Sequence, residues 1–277
     1  MPAELLEEAP MMRVNAARRA TARVVCRHAA SPQECDESDR ELRGLAEAQR
    51  LLLPAAPPKV PSLDLAVWYR PVRKAGGDYY DFIRLPRGRW GLLVADVAGH
   101  GAPAAIGMAV LHATVRAGRA HSSPAALMHY LNRQLAAGYG SRRGNFITAV
   151  YAVFDPRGGL LTYSTAGHPA PRLRRRGNVS GLDDAGSLPL GIDLNEVYGE
   201  VGVALEPEDA LLLYTDGVTE ARDAGGEMFG THRLDRALLS PAPTAAATVQ
   251  QMLDALQAFG GPSGARDDST LVLAATR

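Results

Sequence analysis

Four times along the chain an aspartate stands where a short apolar run meets a turn: GGDYYDF around Asp78, VADVAGHG around Asp96, LLLYTDG around Asp216 and RDDST around Asp267. Runs of this length, bounded by glycine and polar residues, carry the signature of strands rather than of helices. A carboxylate at the mouth of a buried strand is held on a rigid element yet faces solvent, which suits an oxygen ligand for a hard divalent cation. With no Cys or His cluster beside them, these carboxylates point toward Mg2+ or Mn2+ and away from zinc.

The strand pattern extends through LDLAVWY (63–69), YDFIRL (80–85) and WGLLVAD (90–96). Two helices are expected next: an Ala-rich one over 102–119, and a second opening at Ser123-Pro124, where a hydroxyl cap precedes proline at the first helical position. Strands return in FITAVYAVFD (146–155), LLTYSTAG (160–167), VYGEVGVALE (197–206) and ALLLYTD (210–216), and a helix over 244–259 precedes a last strand, STLVLAAT (269–276). Strands in runs, interrupted by paired helices, predict an α+β fold with antiparallel sheets. An αββα sandwich, two sheets face to face with helices outside, covers every apolar face.

Ahead of this region, residues 37–53 place Leu42, Leu45, Gln49 and Leu52 at three- and four-residue spacing, the seam of an amphipathic helix that Pro54 stops. The proline-rich AAPPKVPS (55–62) marks a semi-rigid linker. The expected organisation is a helical extension and linker over 1–59 and one large domain over 60–277. Such a seam cannot bury itself, so it should pack on a second copy or on the large domain, with a homodimer formed through this helix the preferred outcome.

Composition narrows the function. Thirty Lys and Arg balance thirty Asp and Glu, so no overall field draws the chain to nucleic acid or an anionic membrane. The longest apolar runs, LLLP and ALLLY, fall far short of a bilayer span. Arg13, Arg18, Arg19, Arg23 and Arg27 have the look of a transit peptide, but Glu4, Glu7 and Glu8 at the start speak against one. Cys26 and Cys35 form no CxxC pair and read as free thiols of a cytoplasmic protein.

Two divalent cations roughly 3.5–4 Å apart can share a water, lower its pKa and aim it at a phosphoryl group. Each motif is weak by itself, since a pair such as Asp216-Gly217 is more often a turn. His100, flanked by glycines beside Asp96, is either a turn residue or an acid placed to protonate a leaving oxygen. His168 supports a turn, and His112 and His129 are packing or exposed residues. Arg70, Arg73 and Lys74 are a basic lip or a solvated loop. Arg172, Arg174, Arg175 and Arg176 belong on a hairpin edge or tip, where charge deters aggregation.

In combination, GGDYYDF, DVAGHG, YSTAGHP, LPLGI, LLLYTDGVTEA, EMFG and RDDST stand in the order of a known family. Over about residues 45–277 the chain resembles the bacterial branch of the protein phosphatase 2C-like, metal-dependent (PPM) serine/threonine phosphatases, the group of stage II sporulation protein E and the sigma-B regulator phosphatases. The resemblance implies two ions, Mn2+ or Mg2+, bridged by Asp96, with the backbone carbonyl of Val97 as a further ligand and Asp216 and Asp267 at the second metal position. Asp78 then contributes directly or through water and Asp268 stands one step back, while the family often carries Lys at the position of His100, so general acid and turn residue both stay open for it. It further implies hydrolysis of phosphoserine or phosphothreonine by a metal-activated water, with an anti-anti-sigma factor of a partner-switching pathway as the phosphoprotein substrate. Two other classes stay open: a catalytically silent phosphoprotein-binding module, and a metal-dependent hydrolase of small phosphate esters.

Overall fold

The computed structural model describes residues 32–118, 122–138, 145–240, 242–260 and 266–277, with side chains from residue 40 onward. Its elements run α1 (Pro32–Arg50), β1 (Leu63–Arg70), β2 (Tyr79–Arg84), β3 (Trp90–Val97), α2 (Ala102–Ala117), α3 (Pro124–Ala137), β4 (Ile147–Asp155), β5 (Leu160–Ala166), β6 (Arg172–Arg175), β7 (Asn178–Gly181), β8 (Val201–Ala204), β9 (Ala210–Tyr214), α4 (Asp216–Thr219), α5 (Gly230–Leu239), α6 (Ala245–Gly260) and β10 (Ser269–Thr276). One sheet has the order β1-β10-β9-β6-β7 and the other β2-β3-β4-β5-β8. Every pairing within them is antiparallel.

Successive strand residues point to opposite faces. In β3, Leu92 and Val94 enter the core between the sheets, beside Phe82, Phe154, Leu213 and Val272. Leu93 and Ala95 enter a second core, against Met108 and Leu111 of α2 and Leu127 and Leu131 of α3. β9 divides in the same way, with Leu211 and Leu213 between the sheets and Leu212 under Leu234, Leu238, Val249 and Met252 of α5 and α6. Each sheet is covered on both faces, which is why WGLLVAD and ALLLY are continuous apolar runs. The result is the expected αββα sandwich. Ser123 caps α3 as its position promised, its Oγ accepting from the Ala126 amide at 3.2 Å, with Pro124 opening the helix.

Several elements differ from expectation. The first helix begins at Pro32 and ends at Arg50, earlier at both ends than 37–53. Part of its seam lies on its own chain: Ala46 packs with Ala75 and Ala105, Leu45 lies beside them, and Leu52 reaches the helix-side core. Leu42 remains 41% exposed. The strand expected over 197–206 shrinks to β8, because Tyr198 turns away to stack edge-on against His129 and to donate its hydroxyl to the Leu188 carbonyl at 3.1 Å.

Arg172–Arg175 form β6, which lies between β9 and β7 rather than at an edge, while Arg176 stands at the tip of the β6–β7 hairpin. Three of the four guanidinium groups pair with acids. Arg172 pairs with Asp235, Arg175 with Asp209 and Arg176 with Glu206, each at 2.6 Å. Arg174 donates to the Leu238 carbonyl at 3.2 Å. The five N-terminal arginines, Cys26 and the Cys35 side chain lie outside the described residues. No described helix is long and apolar enough to cross a membrane.

Candidate active site

The turn entering β2, the end of β3 and the ends of β9 and β10 meet at one edge of the sandwich. Asp78 is 1% exposed. Its Oδ2 accepts from the Thr215 hydroxyl at 2.8 Å and the Thr270 hydroxyl at 2.6 Å, tying one sheet to the other. The threonines also hold each other: the Thr270 amide donates to Thr215 Oγ1 at 2.9 Å and the Thr215 amide to the Thr270 carbonyl at 3.2 Å. Asp78 Oδ1 is buried with no hydrogen-bond partner.

Asp268 makes the second tie. Its carboxylate accepts from the Val72 amide at 2.7 Å and the Gly77 amide at 2.6 Å, pinning the loop before Asp78 against β10. A Cβ on Gly77 would lie 2.8 Å from the Val97 carbonyl oxygen and 3.3 Å from Asp96 Oδ1, so this glycine lets the turn rest directly on the end of β3. Gly217, next to Asp216, abuts the Asp268 carbonyl. From the other side, Gln49 of α1 clasps Gly76: its Nε2 donates to the Gly76 carbonyl at 2.5 Å and its Oε1 accepts from the Gly76 amide at 3.1 Å.

These ties gather the acidic residues singled out in the sequence. Asp96, Asp216 and Asp267 are half-buried. Burial raises the Asp96 carboxyl far above the ordinary carboxylate range, and the charges of Asp78, Asp216, Asp267 and Asp268 push it the same way. Burial also raises Asp78, outweighing its two threonine hydrogen bonds. Asp216 is raised by burial, then by Glu220 and Asp267. Burial raises Asp268 against the pull of its two backbone donors, and His100, exposed between Gly99 and Gly101, lies close enough to draw it back down. Carboxylates that lift one another in this way favour any positive charge that enters.

The donor set fits a hard divalent cation: carboxylate and carbonyl oxygens, a bare buried Oδ1 on Asp78 and surplus negative charge. Among the described residues no three acidic, His or Cys side chains close on a single point. A bound ion therefore has to draw part of its coordination from backbone oxygen or water. A cleft of about 270 Å³, bordered by Gly217, Glu220, Arg222, Arg266 and Asp267, opens beside the carboxylates.

His168, His112 and His129 serve the frame. His168 Nδ1 lies 2.8 Å from Thr148 Oγ1, and burial drives its pKa down to about 3, so it is neutral. His112 Nδ1 lies 3.2 Å from the Tyr79 hydroxyl, and His129 Nε2 accepts from the Tyr198 amide at 3.3 Å. Thr215, Thr270 and the Gln49 clasp were not singled out from the sequence as parts of the site. For the threonines the available signal was adjacency, each standing within a few residues of an aspartate in YTDG and DDST.

A family model described as stage II sporulation protein E (SpoIIE) matches residues 86–277. Phosphoserine phosphatase RsbU of Bacillus subtilis (strain 168) is 30% identical over 192 residues, which cover 69% of this chain and 56% of that protein. The chain spans about half or less of the length of the curated relatives it matches. Among solved structures, the SiaA-PP2C domain of Pseudomonas aeruginosa superposes with a TM-score of 0.74 at 22% identity, over 88% of this chain and 98% of that one. The RsbU and RsbW domains of Rv1364c from Mycobacterium tuberculosis give 0.68 at 28% identity, over 82% and 63%.

Proposed function

The chain belongs to the stage II sporulation protein E (SpoIIE) family, and from that premise we propose that it is a metal-dependent protein serine/threonine phosphatase. The observation that carries this reading is the meeting of Asp78, Asp96, Asp216 and Asp267 where the two sheets join, in a cluster whose burial and mutual repulsion leave it short of positive charge. In this proposal Asp78, Asp96, the Val97 carbonyl, Asp216 and Asp267 hold two Mn2+ or Mg2+ ions. When bound, such ions lower the pKa of a water and screen the phosphoryl oxygens.

The chain's own residues supply the rest. Thr215 and Thr270 fix the orientation of Asp78, and Asp268 holds the Gly76-Gly77 turn against β3. In this proposal His100 is the general acid for the serine oxygen as it departs. The substrate is the phosphoserine or phosphothreonine of an anti-anti-sigma factor in the cytoplasm, a reading supported by the likeness to RsbU. Residues 1–59 form an extension to a catalytic domain over 60–277. Two chains pair through its helix, whose Gln49 clasp connects that pairing to the turn carrying Asp78.

The test is an assay of a phosphoserine peptide beside p-nitrophenyl phosphate, with and without Mn2+. Mn2+-dependent hydrolysis of the peptide is expected. Binding without turnover of either compound would identify a silent module, and turnover of the ester without the peptide would identify a small-ester hydrolase.

A further inference from the structure

Residues 182–200, between β7 and β8, form a loop held firmly in place. The Asn132 side chain donates to the Asp193 carbonyl at 2.7 Å and accepts from the Gly191 amide at 2.8 Å. Glu196 accepts from the Leu188 amide at 2.9 Å, and Asp193 from the Asn195 amide at 2.9 Å. The Tyr198 hydroxyl and amide are both engaged, to Leu188 and His129. Yet this fixed loop holds Leu188, Ile192, Leu194 and Val197 in solvent, at 46%, 52%, 54% and 76% exposure. Scattered exposed aliphatics are ordinary; four within ten residues of a rigid loop form a patch of the kind that marks an interaction surface.

Charge and place narrow the partner. Asp183, Asp184, Asp193, Glu196 and Glu200 fall within 183–200, and no Lys or Arg does. The loop is therefore aliphatic and net acidic, with Glu196 and Glu200 also accepting hydrogen bonds from Leu188, Ser123 and Ala125. Leu190 exchanges both backbone hydrogen bonds with Ile147, at 3.0 and 2.8 Å, and Ile147 stands opposite Val97 at the end of β3. Two strand spacings of about 4.8 Å set Leu190 roughly 10 Å from the end of β3 that carries Asp96. A phosphoserine reaching Asp96 brings the surrounding surface of its own protein over this loop.

We propose that the 182–200 loop is the docking surface for the protein substrate, and that it selects a phosphoprotein whose phosphoserine is flanked by aliphatic residues interspersed with Lys or Arg. This rests on the phosphatase reading and adds the substrate's recognition chemistry to it.

The test uses two synthetic phosphoserine peptides with the same core, one flanked by leucine and lysine and the other by serine and glutamate, assayed with the full chain, with Ile192→Glu and with Val197→Glu. Both positions are largely in solvent, so the fold is kept, and melting temperature and turnover of p-nitrophenyl phosphate serve as controls. The wild type is expected to favour the leucine-lysine peptide by about tenfold or more in kcat/KM, mainly through KM, and each variant to reduce that preference to about twofold, as when a peripheral contact is removed without touching the chemistry. Absence of the preference in the wild type, or its survival in both variants, overturns the proposal. A drop in assembly mass in the variants with the preference intact assigns the patch to a second copy of the chain and also overturns it. Failure of the underlying reading would look different, with no Mn2+-dependent hydrolysis of either peptide by any of the proteins.

Discussion

Thr270→Val removes one hydroxyl from the Asp78 carboxylate while keeping the side chain's shape. The hydrogen bond lost is 2.6 Å long and fully buried, and the Thr215 hydroxyl at 2.8 Å remains. A hydrogen bond to a charged group contributes about 1.5–3 kcal/mol. Burial already raises the Asp78 carboxyl and the two threonines oppose that rise, so losing one moves it higher still. At alkaline pH, where Asp78 is charged, the metal-free variant should lose about 2 kcal/mol, a melting shift of about 4–8 °C for a domain of this size. At pH 5, where the carboxyl is protonated in both proteins, the gap should narrow. Mn2+ must then displace a more tightly held proton from a carboxylate that has lost one of its orienting partners, so apparent Mn2+ affinity at neutral pH should fall about 10–100-fold. Thr215→Val should cost more, because the buried Thr270 amide then loses its acceptor as well, a further penalty of about 1–3 kcal/mol. Calorimetric melting of chelator-treated protein at the two pH values, with Mn2+ titration of each variant, measures all of this. A Thr270→Val protein that melts within about 1 °C of wild type at both pH values and binds Mn2+ equally well would refute the reasoning.

Gly77→Ala should lower turnover by about 100-fold with little change in melting temperature, since its Cβ would press on the Val97 carbonyl and Asp96 Oδ1 and displace them by a fraction of an ångström; wild-type turnover would show that the close approach is unimportant. Because the folded protein holds His168 neutral down to about pH 3 while the unfolded chain protonates it near 6.5, His168 contributes a loss of about 1.4 kcal/mol of stability per unit as pH drops below 6.5, set against the raised carboxyls of Asp78 and Asp96, which act in the opposite direction. Denaturant titrations at pH 7 and pH 5 check this, and His168→Gln should lose that part of the slope; equal slopes would contradict it. Deleting residues 1–53 removes the Gln49 clasp and the pairing helix, so both assembly mass by light scattering and turnover per chain should change; if neither does, the extension is a passive tail.

The layered fold was legible because its strands are covered on both faces and so appear as unbroken apolar runs ending in aspartate. The cap at Ser123-Pro124 was legible because its partners lie within three residues. What escaped depended on distant partners. β6 and β7 are four residues each and owe their place to pairing with β9 and to acids at Asp235 and Asp209, none of which is near in sequence. For the same reason the arginine run looked like edge protection, although three of its four guanidinium groups pair with acids from other elements. At the candidate site, the aspartates announced themselves by position. Thr215 and Thr270 did not, because a threonine beside an aspartate acquires its role when a carboxylate 137 or 192 residues away folds onto it. Gln49 was counted only as a seam position, and its polar side chain is explained by the Gly76 backbone it clasps, which lies 27 residues away.

The central claim is that the clustered aspartates work by holding divalent cations. It is tested most directly by titrating Mn2+ into chelator-stripped wild type and Asp96→Asn while following release of phosphate from a phosphoserine peptide. The wild type should begin at the uncatalysed baseline and rise to saturation, and Asp96→Asn, folded and with the same melting profile, should stay at least about 100-fold lower at every Mn2+ concentration. Full activity in the stripped wild type, or an Asp96→Asn curve that overlays it, would contradict the account.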